Sequence, residues 1–347
     1  MIVENRLADD LNEILERSDK PLRTLVNSHV LVTGGTGFVG TWFVETLLWA
    51  RSNFGGIGRV SVVSRDPAKF LNRNPHLVDN AALRFVVGDI RALDLFALPD
   101  PDFVLHAATA ASAVLNDGDP DEMLDVIVGG QNRLFGELAR FSRPRVLFTS
   151  SGAVYGPQPE GLSHFPEGYL SAQPDRDEKS AYHDGKRAAE LICLDATSSG
   201  VADVVLARLF AFVGPHLPID THFAIGNFIR DAMHGGPIVL NGDGTTVRSY
   251  QYASDMTSWL LALLVDGAPG RAYNVGSDRA MNMREIATSV ARIAGPDVKV
   301  DIRGTQQPGQ PVDRYVPSVE RVSSEFGLDN CMNFDEAVSR TLKWHRP

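Results

Sequence analysis

Thr33-Gly34-Gly35-Thr36-Gly37-Phe38-Val39-Gly40 (TGGTGFVG) directly follows the apolar run His29–Thr33 and opens a helical stretch, Gly37–Trp49. Strand before and helix after give this turn its meaning. Glycines let the chain reverse tightly, let backbone approach a pyrophosphate, and let the helix pack close to the strand. The helix N-terminus then turns N–H groups and a partial positive charge towards the phosphates. The spacing fits both GxGxxG and GxxGxxG, and predicts that Gly34, Gly37, Phe38, Val39 and Gly40 hold a dinucleotide.

Outward from the turn, short apolar segments alternate with helical ones. Arg59–Ser64, Leu83–Val87 and Phe103–His106 read as strands, followed by a helix near 121–140. Arg145–Ser150, a helix near 181–198, and Ala202–Leu209 complete the series. This pattern predicts an α/β fold, a Rossmann-type doubly wound parallel sheet. Past residue 215 the segments PHLPID, HGGP, NGDGTT and GAPG break up shorter elements. They predict a smaller C-terminal α/β substrate lobe over the carboxyl edge of the sheet, where ligands of such sheets bind. The expected divisions are 1–28 as an N-terminal helical extension, 29–208 as the dinucleotide-binding domain, and 209–347 mainly as the substrate lobe, with segments returning to the first domain. Leu7, Leu11, Ile14 and Leu15 carry the helical spacing of the extension, over residues 3–17.

The second strand ends in Ser64-Arg65-Asp66. An NAD-preferring site usually has an acid at this strand end, to hold the ribose hydroxyls. Ser64 and Arg65 stand there instead, and an arginine suits a 2′-phosphate. The expected cofactor is therefore NADP, with NAD as the alternative because Asp66, one step later, still suits a ribose. Asp89, followed by Ile90, sits after the third strand, in reach of an adenine amino group. Ala107 and Ala108 follow the fourth.

Composition bounds the function. The 347 residues include 43 acidic and 33 basic side chains, a net charge of -10. That disfavours nucleic acid as a partner, which calls for a basic face. Two cysteines, Cys193 and Cys331, without a Cys/His cluster, make a disulfide framework or a zinc site improbable, and no metal is expected. The acidic start lacks a signal peptide's apolar core, and the apolar run Trp259–Val265 is too short for a bilayer, so a cytoplasmic enzyme without membrane partner is expected.

Tyr182-His183-Asp184-Gly185-Lys186 puts a tyrosine and a lysine four apart, on one helix face. A phenol is a poor acid or base at neutral pH, and a nearby ammonium favours its ionised form. Ser150-Ser151, at the end of the preceding strand, offers a hydroxyl for the reacting oxygen. With these residues in place the chain resembles the extended short-chain dehydrogenase/reductases, and within them the NAD(P)-dependent nucleotide-sugar epimerase/dehydratase family. The resemblance runs from about residue 29 to the C-terminus. It rests on TGGTGFVG, His106-Ala107-Ala108, SSGAVYG (150–156), YHDGK, RLFAFVGP (208–215), RSYQYASD (248–255) and YNVGSD (273–278), in order.

The resemblance implies that Ser151, Tyr182 and Lys186 act together at sugar C4. Tyrosine removes the hydroxyl proton while C4 gives a hydride to the nicotinamide, and the lysine also binds the nicotinamide ribose. It implies that Asn227, Arg248 and, more weakly, Arg314 hold the nucleotide diphosphate. His222, in a loop expected to border the sugar, is a further substrate contact. A homodimer is the family habit. Family members that eliminate water across C5 and C6 carry an Asp-Glu pair after the catalytic hydroxyl residue, and UDP-glucuronate decarboxylases keep a Glu. Gly152 and Ala153 stand there in this chain. That favours chemistry confined to C4, a 4-epimerase or a 4-ketoreductase. Run as in those families, a 4,6-dehydratase or a decarboxylase would need a carboxylate from another loop, such as Glu160 or Glu167. Ala211 replaces an asparagine that contacts substrate in many relatives, which leaves the sugar open. The competing class is a non-catalytic NAD(P)-sensing regulator, but such proteins tend to lose the tyrosine or lysine retained here.

Overall fold

The computed structural model describes residues 5–55, 58–109, 119–169, 180–220, 223–305, 309 and 311–346. Its main sheet contains β1 His29–Thr33, β2 Arg59–Ser64, β3 Leu83–Val87, β4 Phe103–His106, β5 Arg145–Ser151 and β6 Asp203–Leu209. With the strand Ala272–Val275 they form seven strands, ordered Ala272–Val275, β6, β5, β4, β1, β2, β3. β1 through β5 pair in parallel. All five residues of β1 are buried, because helices cover both faces of the sheet centre. The chain runs from β1 to one edge and then returns to β4 on the other side of β1. The order therefore reverses between β1 and β4, the position where doubly wound sheets bind ligands.

The described chain clusters into two compact units: Met1–Val154 with Asp175–Arg208 and Thr257–Tyr273, and Tyr155–Pro174 with Leu209–Met256 and Asn274–Pro347. In the first unit the helix after the glycine turn spans Phe38–Phe54. It outruns the expected end at Trp49 because its terminator is Gly55, at φ 64°. The N-terminal helix is Ala8–Arg17, and a second one, Asp19–Thr24, follows it after Ser18. Leu7, Leu11, Ile14 and Leu15 are buried, and Trp49 Nε1 donates to Asn12 Oδ1 at 2.9 Å, seating this extension on its own unit. The helix expected near 121–140 comes in three pieces. Pro120–Leu124 passes through a π-helical turn, Asp125–Gly129, into Gly130–Leu138.

The second unit is built from small sheets and amphipathic helices. Met281–Asn282, Val247–Arg248 and Arg314–Tyr315 form a three-stranded sheet. The helix Met283–Ala294 starts on a capping box, Asn282 with Glu285, which satisfies backbone N–H groups that would otherwise lack partners. Among the described residues no helix is long and apolar enough to cross a membrane.

Candidate active site

The glycine turn is sterically committed. Gly34 has φ +66°, and a Cβ there would lie 2.4 Å from the Ala107 carbonyl oxygen. At Gly40 a Cβ would fall 2.3 Å from the Gly34 oxygen. Gly37 is different: it is exposed, and its Cβ would meet only that oxygen, at 3.4 Å. Phe38 and Val39 begin the helix with no side-chain cap from Gly37. A cradle open on its outer side at a helix N-terminus fits a dinucleotide's pyrophosphate. Ala107 and Ala108 are tied to β1, their N–H groups donating to Thr33 O at 3.1 Å and Thr33 Oγ1 at 3.3 Å.

At the next strand ends the charges are arranged unevenly. Ser64 is buried and accepts from the Asp66 N–H at 3.2 Å. Asp66 Oδ1 accepts from the Lys69 N–H at 2.9 Å, capping the helix Pro67–Arg73. Arg65 is 80% exposed, 4.0 Å from Asp89. Asp89 itself is taken by Arg91, whose Nε and Nη2 donate to its two oxygens at 2.9 and 3.1 Å. That hydrogen bonding holds the carboxyl below its ordinary pKa. An adenine amino group at Asp89 thus shares an acceptor with Arg91. The Ile90 side chain lies in the core beside Gly130, so only its backbone is available to a ligand.

The catalytic candidates do converge. Ser151 ends β5, and its side chain shares a hydrogen bond with Tyr182 on the helix Ser180–Ser198. Lys186 is 1% exposed and donates to Thr149 O and Thr109 Oγ1, both at 2.8 Å. Its amine sits 4.7 Å from the Phe148 ring centre and 6.0 Å from that of Tyr182. Desolvation brings the amine down to about 7, against the opposing influence of Cys193 and Glu190. The expected lowering of the tyrosine by its lysine is not what the structure gives. Burial pushes the Tyr182 phenol up, and the Ser151 hydrogen bond is what opposes it. Burial thus shifts both groups towards their neutral forms, the lysine being the more completely buried of the two.

Behind the lysine runs a polar chain that the spacing of motifs did not reveal. His106 Nδ1 lies 2.6 Å from Thr33 Oγ1, and Nε2 lies 2.7 Å from Gln131 Oε1. Gln131 Nε2 donates to Cys193 Sγ at 2.9 Å. With the amide in this orientation, Nε2 donates and Nδ1 accepts from the threonine, so the histidine is neutral. Desolvation, aided by the Lys186 charge, brings His106 down to about 3. The chain links the start of the glycine turn to the helix Ser180–Ser198. Only the apolar surroundings of His106 in FVLH hinted at it.

In the second unit the substrate candidates are spread out. Asn227 lies inside the helix Ala224–Met233, where its Oδ1 accepts from Arg230 Nη1 at 2.9 Å. Arg248 donates to Val247 O at 2.8 Å and to Asp313 Oδ2 at 2.5 Å. Arg314 pairs in register with Val247, whereas Tyr315 pairs with Arg248. Paired residues share a face, so Arg248 and Arg314 occupy opposite faces of this small sheet. His222 lies outside the described residues. Glu160 is exposed, while Glu167 is drawn inward: its side chain is 4% exposed, accepts from the Asn274 N–H at 3.0 Å, and lies 3.7 Å from Arg321.

A doubly wound sheet, a glycine cradle at its first helix and a Ser/Tyr/Lys trio at the end of β5 define a dinucleotide-dependent enzyme. The model of the NAD dependent epimerase/dehydratase family matches residues 30–276, and the chain belongs to that family. It is 30% identical to UDP-glucuronic acid decarboxylase 1 of Arabidopsis thaliana over 90% of this chain and 68% of that one. It is similar to the Bordetella bronchiseptica enzyme WbmF in complex with NAD+, with a TM-score of 0.75 and 25% identity, covering 92% of this chain and 93% of that one. DesIV, a dTDP-glucose 4,6-dehydratase from Streptomyces venezuelae with NAD bound, gives a TM-score of 0.76 at 25% identity, covering 91% and 96%.

Proposed function

We propose that this enzyme acts on a nucleotide-diphosphate sugar at C4, as a 4-epimerase or a 4-ketoreductase. The observation that carries the reading is the convergence of Ser151, Tyr182 and Lys186 beside a turn, Gly152-Ala153, that offers no carboxylate. A bound nicotinamide dinucleotide supplies the hydride acceptor or donor. Gly34, Gly37 and Gly40 would hold its pyrophosphate, and Arg65 and Asp89 its adenosine end. Lys186 spends two N–H groups on Thr149 and Thr109, which leaves its third for the ribose. Ser151 orients the sugar's 4-oxygen, and Tyr182 takes and returns the 4-hydroxyl proton. Arg248 is the cation proposed for the diphosphate, exchanging Asp313 for phosphate oxygens.

NADP is the proposed form of the cofactor. Arg65 presents an exposed guanidinium, and Asp66 is engaged as a helix cap rather than held ready for ribose hydroxyls. A homodimer is proposed as well, through the helix Ser180–Ser198, where Leu191 and Leu194 are 68% and 39% exposed.

The similarity to a UDP-glucuronic acid decarboxylase favours a second reading. Once C4 of a glucuronate is a ketone, its carboxylate stands β to a carbonyl, and such acids lose CO2 without a dedicated acid. Turnover of UDP-glucose, UDP-glucuronic acid, UDP-N-acetylglucosamine and dTDP-glucose, with products analysed by mass spectrometry and NMR, tests both readings. A C4 epimer, or a 4-keto sugar formed with matching reduction of the dinucleotide, supports the first, and a pentose nucleotide the second. Tyr182→Phe is expected to slow the reaction at least a hundredfold, roughly the contribution of a positioned acid–base group. Turnover equal to wild type would remove the tyrosine from the chemistry.

A further inference from the structure

Three consecutive residues at the end of β5 meet three residues on one face of the helix Ser180–Ser198. Thr149 O accepts from Lys186, Ser151 hydrogen-bonds Tyr182, and between them Ser150 Oγ donates to Glu190 Oε1 at 2.6 Å. Tyr182, Lys186 and Glu190 are spaced four apart, one helical turn each. Glu190 is 8% exposed, and Arg208 on β6 grips it through two bonds, Nε to Oε1 at 2.9 Å and Nη2 to Oε2 at 2.7 Å. A buried carboxylate is costly without such a partner, and a two-pronged guanidinium also fixes its direction. The carboxylate is thus anchored to one strand while holding the neighbouring strand by the residue between Thr149 and Ser151.

We propose that Glu190, fixed by Arg208 and bonded to Ser150, is a positioning residue that sets the helix register on the end of β5 and so aligns Tyr182 with Ser151 and Lys186 with Thr149. The proposal rests on the reading of Ser151, Tyr182 and Lys186 as the catalytic trio. Glu190 touches no reacting atom. Its negative charge also faces the Lys186 ammonium, alongside Tyr182 and Cys193 on the same helix and His106 on β4.

Two variants separate tether from charge. Ser150→Ala removes one hydroxyl and leaves the Glu190–Arg208 pair intact. Glu190→Gln keeps the shape and removes the charge. Arg143→Gln, which breaks the exposed pair with Asp203 on the same strand as Arg208, is the control. With UDP-glucuronic acid or UDP-glucose, whichever the wild type turns over, both clamp variants should lower kcat about tenfold, since small misplacement of reacting groups costs rate. KM and cofactor affinity should stay within about twofold of wild type, because the clamp contacts neither ligand. Amide exchange over residues 149–151 should quicken in both, and the control should change neither readout. Wild-type kcat in both clamp variants, with Tyr182→Phe inactive, would overturn the clamp while leaving the catalytic reading in place. Faster exchange in both clamp variants, with Tyr182→Phe as active as wild type, would overturn the catalytic reading instead.

Discussion

Arg65 and Lys186 carry the same formal charge within the same unit, and their surroundings could hardly differ more. Arg65 stands 80% exposed beyond β2, with Asp89 at 4.0 Å and water around the rest of it. Lys186 is 1% exposed, held by a backbone carbonyl and a hydroxyl, and its amine is brought down to about 7. An exposed guanidinium serves as a charge whose value lies in where it stands. An ammonium denied water is poised near the point where it gives its proton up. In the proposed site, one end would recognise charge and the other would alter it.

The largest effect expected from this contrast lies at the buried end. Lys186→Met should lower kcat by roughly a hundredfold or more, because the ammonium proposed to hold the nicotinamide ribose in place is lost. The same change should raise stability. The amine loses its proton near pH 7 in the fold and near 10.5 in the unfolded chain, so between those values the unfolded chain binds more protons and stability rises with pH. Below the window, burial of the ammonium is a constant cost. Lys186→Met should therefore melt above wild type at about pH 6, and the gap should close as pH climbs through the window. A gap independent of pH would mean that the lysine is not buried as a charge.

A smaller effect is expected at the exposed end. Arg65→Ala should weaken NADP binding about tenfold and change NAD binding less than twofold, as loss of one arginine–phosphate pair predicts. Calorimetric titration with both dinucleotides measures it; equal loss for the two would take Arg65 off the 2′-phosphate, and no loss for either would make it a bystander. That difference should shrink further as salt rises, since exposed pairs are screened, whereas the Lys186→Met effects should barely respond. A strong salt response at Lys186 would erase the contrast between the two ends.

The same contrast explains what could be read in the sequence. Strand identity follows from runs of apolar residues, so β1 to β4 have the bounds expected of them and β5 is longer by Ser151 alone. The glycine turn and the Tyr182–Lys186 spacing are local, and local patterns survive without coordinates. Glu190 was also legible in principle, as the next step in YHDGKRAAE, but its meaning depends on Ser150 and Arg208, which reach it from two other strands. The His106–Gln131–Cys193 chain joins residues far apart in sequence, and nothing in their spacing foretells it. The sign of the Tyr182 shift was missed for a related reason. Spacing reveals a neighbouring charge, whereas desolvation is a property of everything packed around the group.

The π-helical turn Asp125–Gly129 has a consequence for how this chain tolerates changes in length. A π turn accommodates one residue more than an α turn, so it behaves as an insertion absorbed inside a helix. Removing one residue there would restore regular winding and leave Gly130–Leu138 close to its present orientation, whereas one more inserted residue would turn it by about 100°. With that insertion Gln131 would swing away from His106 and Cys193, parting the start of the glycine turn from the helix Ser180–Ser198. A single-codon deletion would be absorbed here, while a single-codon insertion would part groups that lie far from the turn in sequence.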